Sequence, residues 1–400
     1  MEKSNSLAKI MDYPINGRQI YFIAFLIYFL PTFLSETTFS LSISNHWLRI
    51  FSYLSLPLLF FKIFLMDHWK KRDLFLISIF LILGFVVWRK AYYPDIMVLA
   101  PFVIGAKNVN FHDIVRWYFY LTLLLMSMVM SFALIRIIPD LIYHSELRPT
   151  RYSLGMLYPS VIAAHYLFLV LAYCYLRFGK LNFIDYILIF LGDYVCMLLT
   201  NTKLDFAATL IVIPVMFIAQ RAFFGKPLSK IIAAFWWMAT PVSATIMIFL
   251  SFFYSHSNHI MHKLNSLFSD RLMLGHQAFE RYDLNLLGRR IVEHSFAGAN
   301  GQKLANGSVG FKYFYIDSSY LRMFLLWGLI AFIIIICCLT FIAIRSTAQK
   351  MYILSAIILV SSLSFMFEPH IIQIIYNPFL LALLANNYYS SFNKEIKNEE

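Results

Sequence analysis

Charge is scarce in this chain. Asp, Glu, Lys and Arg together make up 14% of the 400 residues, while 60% are hydrophobic and the mean hydropathy is +0.69. Soluble domains run to about 25% charged and about 45–50% apolar, so a water-soluble fold is excluded at the outset. Cysteine is scarce too. Cys174, Cys196, Cys337 and Cys338 all fall in apolar stretches without metal-site spacing, and read as small packing groups. There is no glycine-rich phosphate loop, no HExxH pair, no GxSxG elbow and no internal repeat. No hydrophilic domain exists to hold ATP or a nucleotide sugar, so no cofactor is expected, and any activated donor must arrive through the bilayer. His256, His259 and His262 recur every three residues but lack an acidic or cysteine companion, so they read as a titratable interfacial face and no metal is expected.

What the chain does have is long apolar runs. Twelve candidate spans stand at 18–34, 47–66, 74–88, 92–106, 114–138, 153–177, 183–199, 204–221, 231–254, 319–344, 351–367 and 371–387. Most approach the roughly 17–25 residues a helix needs to cross a bilayer. The third, fourth and eleventh are short. Open strands cannot cross lipid, because unsatisfied backbone groups are too costly there, so the fold class is all-α, a polytopic membrane helical bundle.

Lys and Arg set orientation. With the N-terminus inside, sixteen fall on inner segments (Lys3, Lys9, Arg18, Lys70, Lys71, Arg72, Lys107, Arg177, Lys180, Arg221, Lys226, Lys230, Arg345, Lys350, Lys394, Lys397). Five fall on short outer turns (Arg89, Lys90, Arg148, Arg151, Lys203). Both termini are therefore expected in the cytoplasm and the long loop 255–318 outside. The formal charge of +12 reflects this bias and does not indicate nucleic acid. The basic start leads into an apolar span without a small-residue cleavage site, the pattern of an uncleaved anchor.

The chain thus divides into a transmembrane bundle, 1–254, an extracytoplasmic loop, 255–318, and C-terminal spans with a short tail, 319–400. Within the loop, Ile260, Leu264, Leu267, Phe268, Leu272 and Phe279 recur at helical steps and predict amphipathic helices at the outer leaflet. Residues 297–310, AGANGQKLANGSVG, predict a flexible segment, either a cover for a substrate or a plain connector.

Guanidinium groups grip phosphate oxygens in pairs and stay charged. Outer-side candidates are Arg136, Arg148, Arg151, Arg271, Arg281, Arg289 and Arg290. Arg136 falls inside a predicted span, where a charge is costly and points to function, or else snorkels to the headgroups. Arg289 and Arg290 point about 100° apart on a helix, so one of the two would face a site. For proton transfer, Asp317, His294 and Glu368 compete, with His370 beside Glu368 across Pro369. Asp317 has the alternative of capping the helix that follows it. Asp95, His165, Asp185 and Asp193 are polar residues scattered within or near spans, of the kind a transporter uses.

Three stretches carry a resemblance. RLMLGHQAFERYDLNLLGRRI, residues 271–291, and IDSSYLRMFLLWGLI, residues 316–330, resemble the loop start and the following span of bacterial polysaccharide polymerases of the Wzy type, within the O-antigen polymerase and ligase superfamily. TNTKLDF, residues 200–206, is similar to an outer hairpin of that family in which Lys203 takes a basic position. Asp317 stands where ligase-like members carry a His, which argues against ligation. The resemblance implies a glycosyltransferase of the bacterial cytoplasmic membrane that needs no metal. It would move a growing glycan from undecaprenyl diphosphate to an incoming lipid-linked repeat unit, with a chain-length regulator and a flippase as possible partners. It implies diphosphate binding by Arg290, Arg289, Arg271 and Arg136, with Arg148, Arg151 and Lys203 secondary. A flippase or transporter of the same unit, and a glycan ligase, are the alternatives.

Overall fold

The computed structural model describes residues 16–145, 148–305 and 313–386. Among them, nine helices are long and apolar enough to cross a membrane: α1 Gly17–Ser35, α2 Asn45–Met66, α3 Lys71–Ala91, α5 Phe111–Leu134, α6 Pro159–Leu176, α7 Phe183–Thr200, α8 Lys203–Phe223, α9 Pro227–Phe252 and α14 Leu329–Ala348. Two shorter apolar helices, α4 Asp95–Gly105 and α15 Ile353–Ser364, accompany them. The protein is thus a mostly helical, multi-pass membrane protein. One element lies outside the all-α expectation, an antiparallel hairpin of β1 Ile142–Ser145 and β2 Arg148–Tyr152, with Tyr143 opposite Arg151.

The apolar residues face outward as well as inward, as lipid solvation demands. Phe183, Ile184, Leu188 and Leu198 on α7 are exposed, while Asp185 and Asp193 of the same helix are buried. The inside-out pattern places the polar groups in the bundle interior.

The last predicted span, 371–387, is not an α-helix. From Glu368 the chain descends through turns and a 3₁₀ segment, Pro378–Leu383, to Asn386, whose amide donates to the Val109 carbonyl at the opposite end of the bundle. Nearly every side chain between is buried. Irregular backbone at this depth is tolerated only inside protein, with its polar groups satisfied. The satisfaction is visible: Asn377 donates to the Ile371 carbonyl and caps Phe379, and Arg345 donates to the carbonyls of Ala382 and Leu383. Hydropathy alone reads such a run as a helix, because burial in protein and burial in lipid select the same side chains.

The described residues of 255–318 fold back onto one end of the bundle, called here the loop end. It contains α10 His259–Leu267, α11 Arg271–Arg281 and α12 Gly298–Ala305, so part of the stretch expected to be flexible is helical. The remainder of that stretch, 306–310, lies outside the described residues. Of the two amphipathic helices, only α10 leaves apolar residues exposed, Ile260 and Leu267, whereas α11 buries Leu272, Leu274 and Ala278 against the bundle. Gly275 permits this approach: a Cβ there would stand 2.5 Å from Leu321 and 2.7 Å from Ser251 Oγ. The hairpin joins the same end, with Tyr143 donating to the carbonyls of Leu157 and Phe296 and Gln302 donating to the Ile142 carbonyl.

The chain returns to the bundle through α13 Ser319–Arg322 and a wide π turn, Met323–Trp327, which breaks at Gly328. Gly328 has φ +91°, and a Cβ would lie 2.5 Å from the Gly288 amide nitrogen. Only glycine fits a left-handed position pressed against backbone. Gly288, at φ +93°, packs back against it, so 284–290 is locked to the helix break.

Candidate functional site

Buried Asn265 donates to Asp270 and accepts from the Met273 amide, which fixes the tight turn between α10 and α11. Arg271 therefore leaves the first turn of α11 toward the bundle. Its Nε donates to the Phe367 carbonyl at 2.8 Å, and its guanidinium lies 3.8 Å from Asp317 Oδ2 and 3.6 Å from Glu368 Oε1. The two carboxylates are brought together by Ser319. Its amide donates to the carbonyls of Phe365 and Glu368, and its hydroxyl accepts from the Ile371 amide at 3.2 Å. Ser318, not Asp317, is the N-cap of α13, so the capping alternative for Asp317 is not realised; Asp317 instead accepts from Tyr313 Oη at 3.5 Å.

Behind Glu368 stands His370, with Nε2 3.2 Å from Glu368 Oε2 and Nδ1 2.6 Å from Gln373 Oε1. An amide oxygen only accepts, so Nδ1 carries the proton and Nε2 is the nitrogen that faces the Glu368 carboxyl. The titration tendencies agree with that arrangement. Burial pushes Glu368 up to about 8 against the pull of Arg271, and burial pulls His370 below its ordinary value. Asp317 is raised as well, by burial opposed by Arg271 and Arg322. Glu368 and His370 are thus two buried titratable groups in direct contact, the arrangement of an acid–base pair. The His370 ring stacks on Tyr376 at 3.6 Å, Tyr376 stacks on His165 at 4.0 Å, and the Tyr376 hydroxyl donates to Glu36.

Of the expected cations, Arg151 joins Arg271. It donates to the Thr200 carbonyl at 2.8 Å and to Tyr158 Oη at 3.0 Å, and its charge is felt by Glu368. The expected convergence of Arg136, Arg271 and Arg290 does not occur. Helix α5 ends at Leu134, so Arg136 lies beyond it, exposed between Ile135 and Ile137. Arg290 is exposed and lies over the Tyr92 ring at 5.1 Å. Arg289 sits on the Gly288–Gly328 junction, where its amide donates to the Leu326 carbonyl. Lys203 is exposed at the start of α8, and its neighbour Asp205 is the buried residue there, with Oδ1 lacking a hydrogen-bond partner. His294 is exposed on an extended pairing with Phe314, while the side chain of adjacent Glu293 points the other way, into the bundle. Arg281 covers Phe314. The Arg148 side chain lies outside the described residues. Asp317, Glu368 and Arg271 thus share one location, Arg151 lies within electrostatic reach of Glu368, and Arg136, Lys203, His294, Arg289 and Arg290 stand apart.

Two residues absent from the sequence reading anchor the site. Arg322 makes a two-pronged ion pair with Glu293, at 2.6 and 3.0 Å, and donates to the Ile316 carbonyl, while Tyr93 Oη donates to the same carboxylate at 2.9 Å. The signal was present, since Arg322 is an arginine within a predicted span, the criterion applied to Arg136. A second buried pair, Lys62–Asp67 at 2.7 Å, occupies the opposite end, where Lys62 also donates to the Lys107 carbonyl. No protein-family model, no curated protein and no solved structure matches this chain.

Proposed function

We propose that the protein is a membrane glycosyltransferase that joins lipid-linked oligosaccharide units, a polysaccharide polymerase acting at the outer face of the bacterial cytoplasmic membrane, with the loop end outside and both termini in the cytoplasm. The observation that carries the reading is Arg271 held between Asp317 and Glu368, with His370 behind Glu368, where the long hydrophilic segment meets the bundle. The donor is a glycan on undecaprenyl diphosphate. A hydroxyl of the incoming unit attacks the anomeric carbon, the bond to the diphosphate oxygen breaks with its electron pair, and the hydroxyl proton passes to a carboxylate. Glu368 is the preferred acceptor of that proton, because a carboxylate made more basic by burial is a stronger base. Arg271 and Arg151 are placed to meet the negative charge that grows on the leaving diphosphate. Alignment of two membrane-held substrates supplies much of the remaining acceleration. A chain-length regulator and a flippase belong to the same proposal as partners. The resemblance of residues 271–291 and 316–330 to polymerase segments supports the reading independently of the geometry.

The site differs in kind from the cationic clamp that the sequence led one to expect. Carboxylates are as prominent in it as guanidinium groups, which suits proton transfer as much as phosphate binding. That observation favours one alternative, a proton-coupled exporter of the same unit, since Glu36, His165 and Tyr376 extend the titratable network into the bundle. The two readings separate in cells. Glu368→Gln in a polymerase leaves single repeat units on the surface glycan and no longer chains. In an exporter the same change leaves no unit at the surface and accumulates lipid-linked units inside.

A further inference from the structure

A cavity of about 280 Å³ opens beside the site, between α1, α2, the start of α4 and the irregular descending segment. It falls just below the usual range of ligand pockets, about 300–1,000 Å³, and has room for a single six-membered ring. Its polar wall is built from Glu36, Asp95 and Gln373, its aromatic wall from Tyr53 and Tyr93, and exposed Arg49 stands at its mouth. Two carboxylates against one guanidinium make the interior unfavourable for an anion. The wall groups are hydrogen-bond acceptors and an amide, the set that hydroxyl donors require. Apolar ring faces beside such groups suit the C–H faces of a sugar.

The cavity is coupled to the acid–base pair. Gln373 lines it, interacts with Asp95, and accepts from His370, which in turn contacts Glu368. Glu36 receives the hydroxyl of Tyr376, the ring stacked on His370. Occupation of the cavity would therefore be sensed at Glu368 through two contacts of one imidazole.

We propose that this cavity seats one uncharged sugar ring, its hydroxyls on Asp95, Glu36 and Gln373, and that it is the subsite for the acceptor unit. The assignment of the acceptor rests on the polymerase reading; the binding of a neutral sugar does not. Ring hydroxyls donate to the two carboxylates, and a uronic acid is rejected by like charge.

Saturation-transfer NMR on the full-length protein in detergent, with a panel of neutral hexoses, N-acetylhexosamines and hexuronic acids as probes, tests it. Ring protons of at least one neutral sugar receive saturation and the uronic acids do not. Asp95→Ala weakens that binding about tenfold or more, the loss of a hydrogen bond to a charged acceptor. Ser35→Trp, which fills the cavity from α1, abolishes it, so the test does not hang on one variant folding. Glu368→Gln retains it. Absence of saturable binding by every neutral sugar, equal binding of uronic acids, or unchanged binding in both cavity variants overturns the proposal. If sugars fail to bind while Glu368→Gln still shortens the glycan, the cavity assignment falls and the polymerase reading stands. If sugars bind and Asp95→Ala weakens them although no polymer is made, the cavity stands without that reading.

Discussion

Arg271 lies within ion-pair distance of both Asp317 and Glu368, and the burial of these groups gives the site its pH dependence. Glu368 is raised by burial to about 8. If it accepts the substrate proton, turnover rises with pH and levels off above about 8, and Glu368→Gln removes both the turnover and its pH dependence. The sign for stability is opposite. Between the ordinary glutamate value near 4.5 and about 8, the folded state holds a proton that the unfolded chain has released. Folding therefore binds protons in that window, and stability falls as pH rises through it. A thermal melt of wild type against Glu368→Gln checks this, the variant losing the slope. Arg271→Ala and Arg290→Ala make a matched pair. Arg271 is largely buried between carboxylates, so its loss leaves two acids without their counter-charge and abolishes long glycan. Arg290 is exposed on Tyr92, so its loss leaves glycan length unchanged. Glycan ladders from cells carrying each variant decide between these outcomes. The sequence showed Arg271, Asp317 and Glu368 as chemistry-bearing residues, but ranked Arg290 and Arg136 beside Arg271. Sequence distance carries no direction: Arg136 fell outside its helix by two positions, and His294 and Glu293, adjacent in the chain, face opposite ways.

The elements that position these residues are held by polar locks rather than by apolar burial alone. Glu293 belongs to the loop, Arg322 to the returning helix and Tyr93 to the connection after α3, and one carboxylate joins all three. Removing one partner of a buried ion pair strands the other charge, at a cost of about 3–5 kcal/mol. Glu293→Ala is accordingly expected to lower the melting temperature and expose 284–318 to protease, while Glu280→Ala, on the exposed end of α11, leaves both unchanged. Gly328→Ala acts on the same junction by another route, forcing a side chain into a left-handed position against the Gly288 backbone; such strain alone costs of order 1–3 kcal/mol. The long helices were legible from hydropathy, most of them to within a few residues, because lipid imposes one requirement on every exposed face. The descending segment 371–386 was not. Its apolar content matched a span, whereas its backbone is satisfied by Asn377 within it and by Arg345 from α14, a long-range partner that no local pattern reveals.

For the whole molecule the claim is one of sidedness. The dense chemistry gathers at the loop end, and the proposal puts that end outside, as the Lys and Arg bias predicts. In a cysteine-free background, Ile260→Cys, exposed on α10, should react in intact cells with a membrane-impermeant maleimide, and Lys226→Cys, between α8 and α9, only after permeabilisation. The reverse labelling would put the site in the cytoplasm, where the proposed substrates are not displayed. At the opposite end the buried Lys62–Asp67 pair is satisfied with the Lys107 carbonyl and, among the described residues, has no contact with the site.

The most direct measurement is reconstitution of the purified protein with synthetic undecaprenyl-diphosphate-linked repeat units, followed by resolution of the products by size. A ladder of multiples from the wild type, absent with Glu368→Gln and Arg271→Ala but retained by Arg290→Ala, is the predicted result. Single units unchanged by the wild type, or a full ladder from Glu368→Gln, would contradict the account.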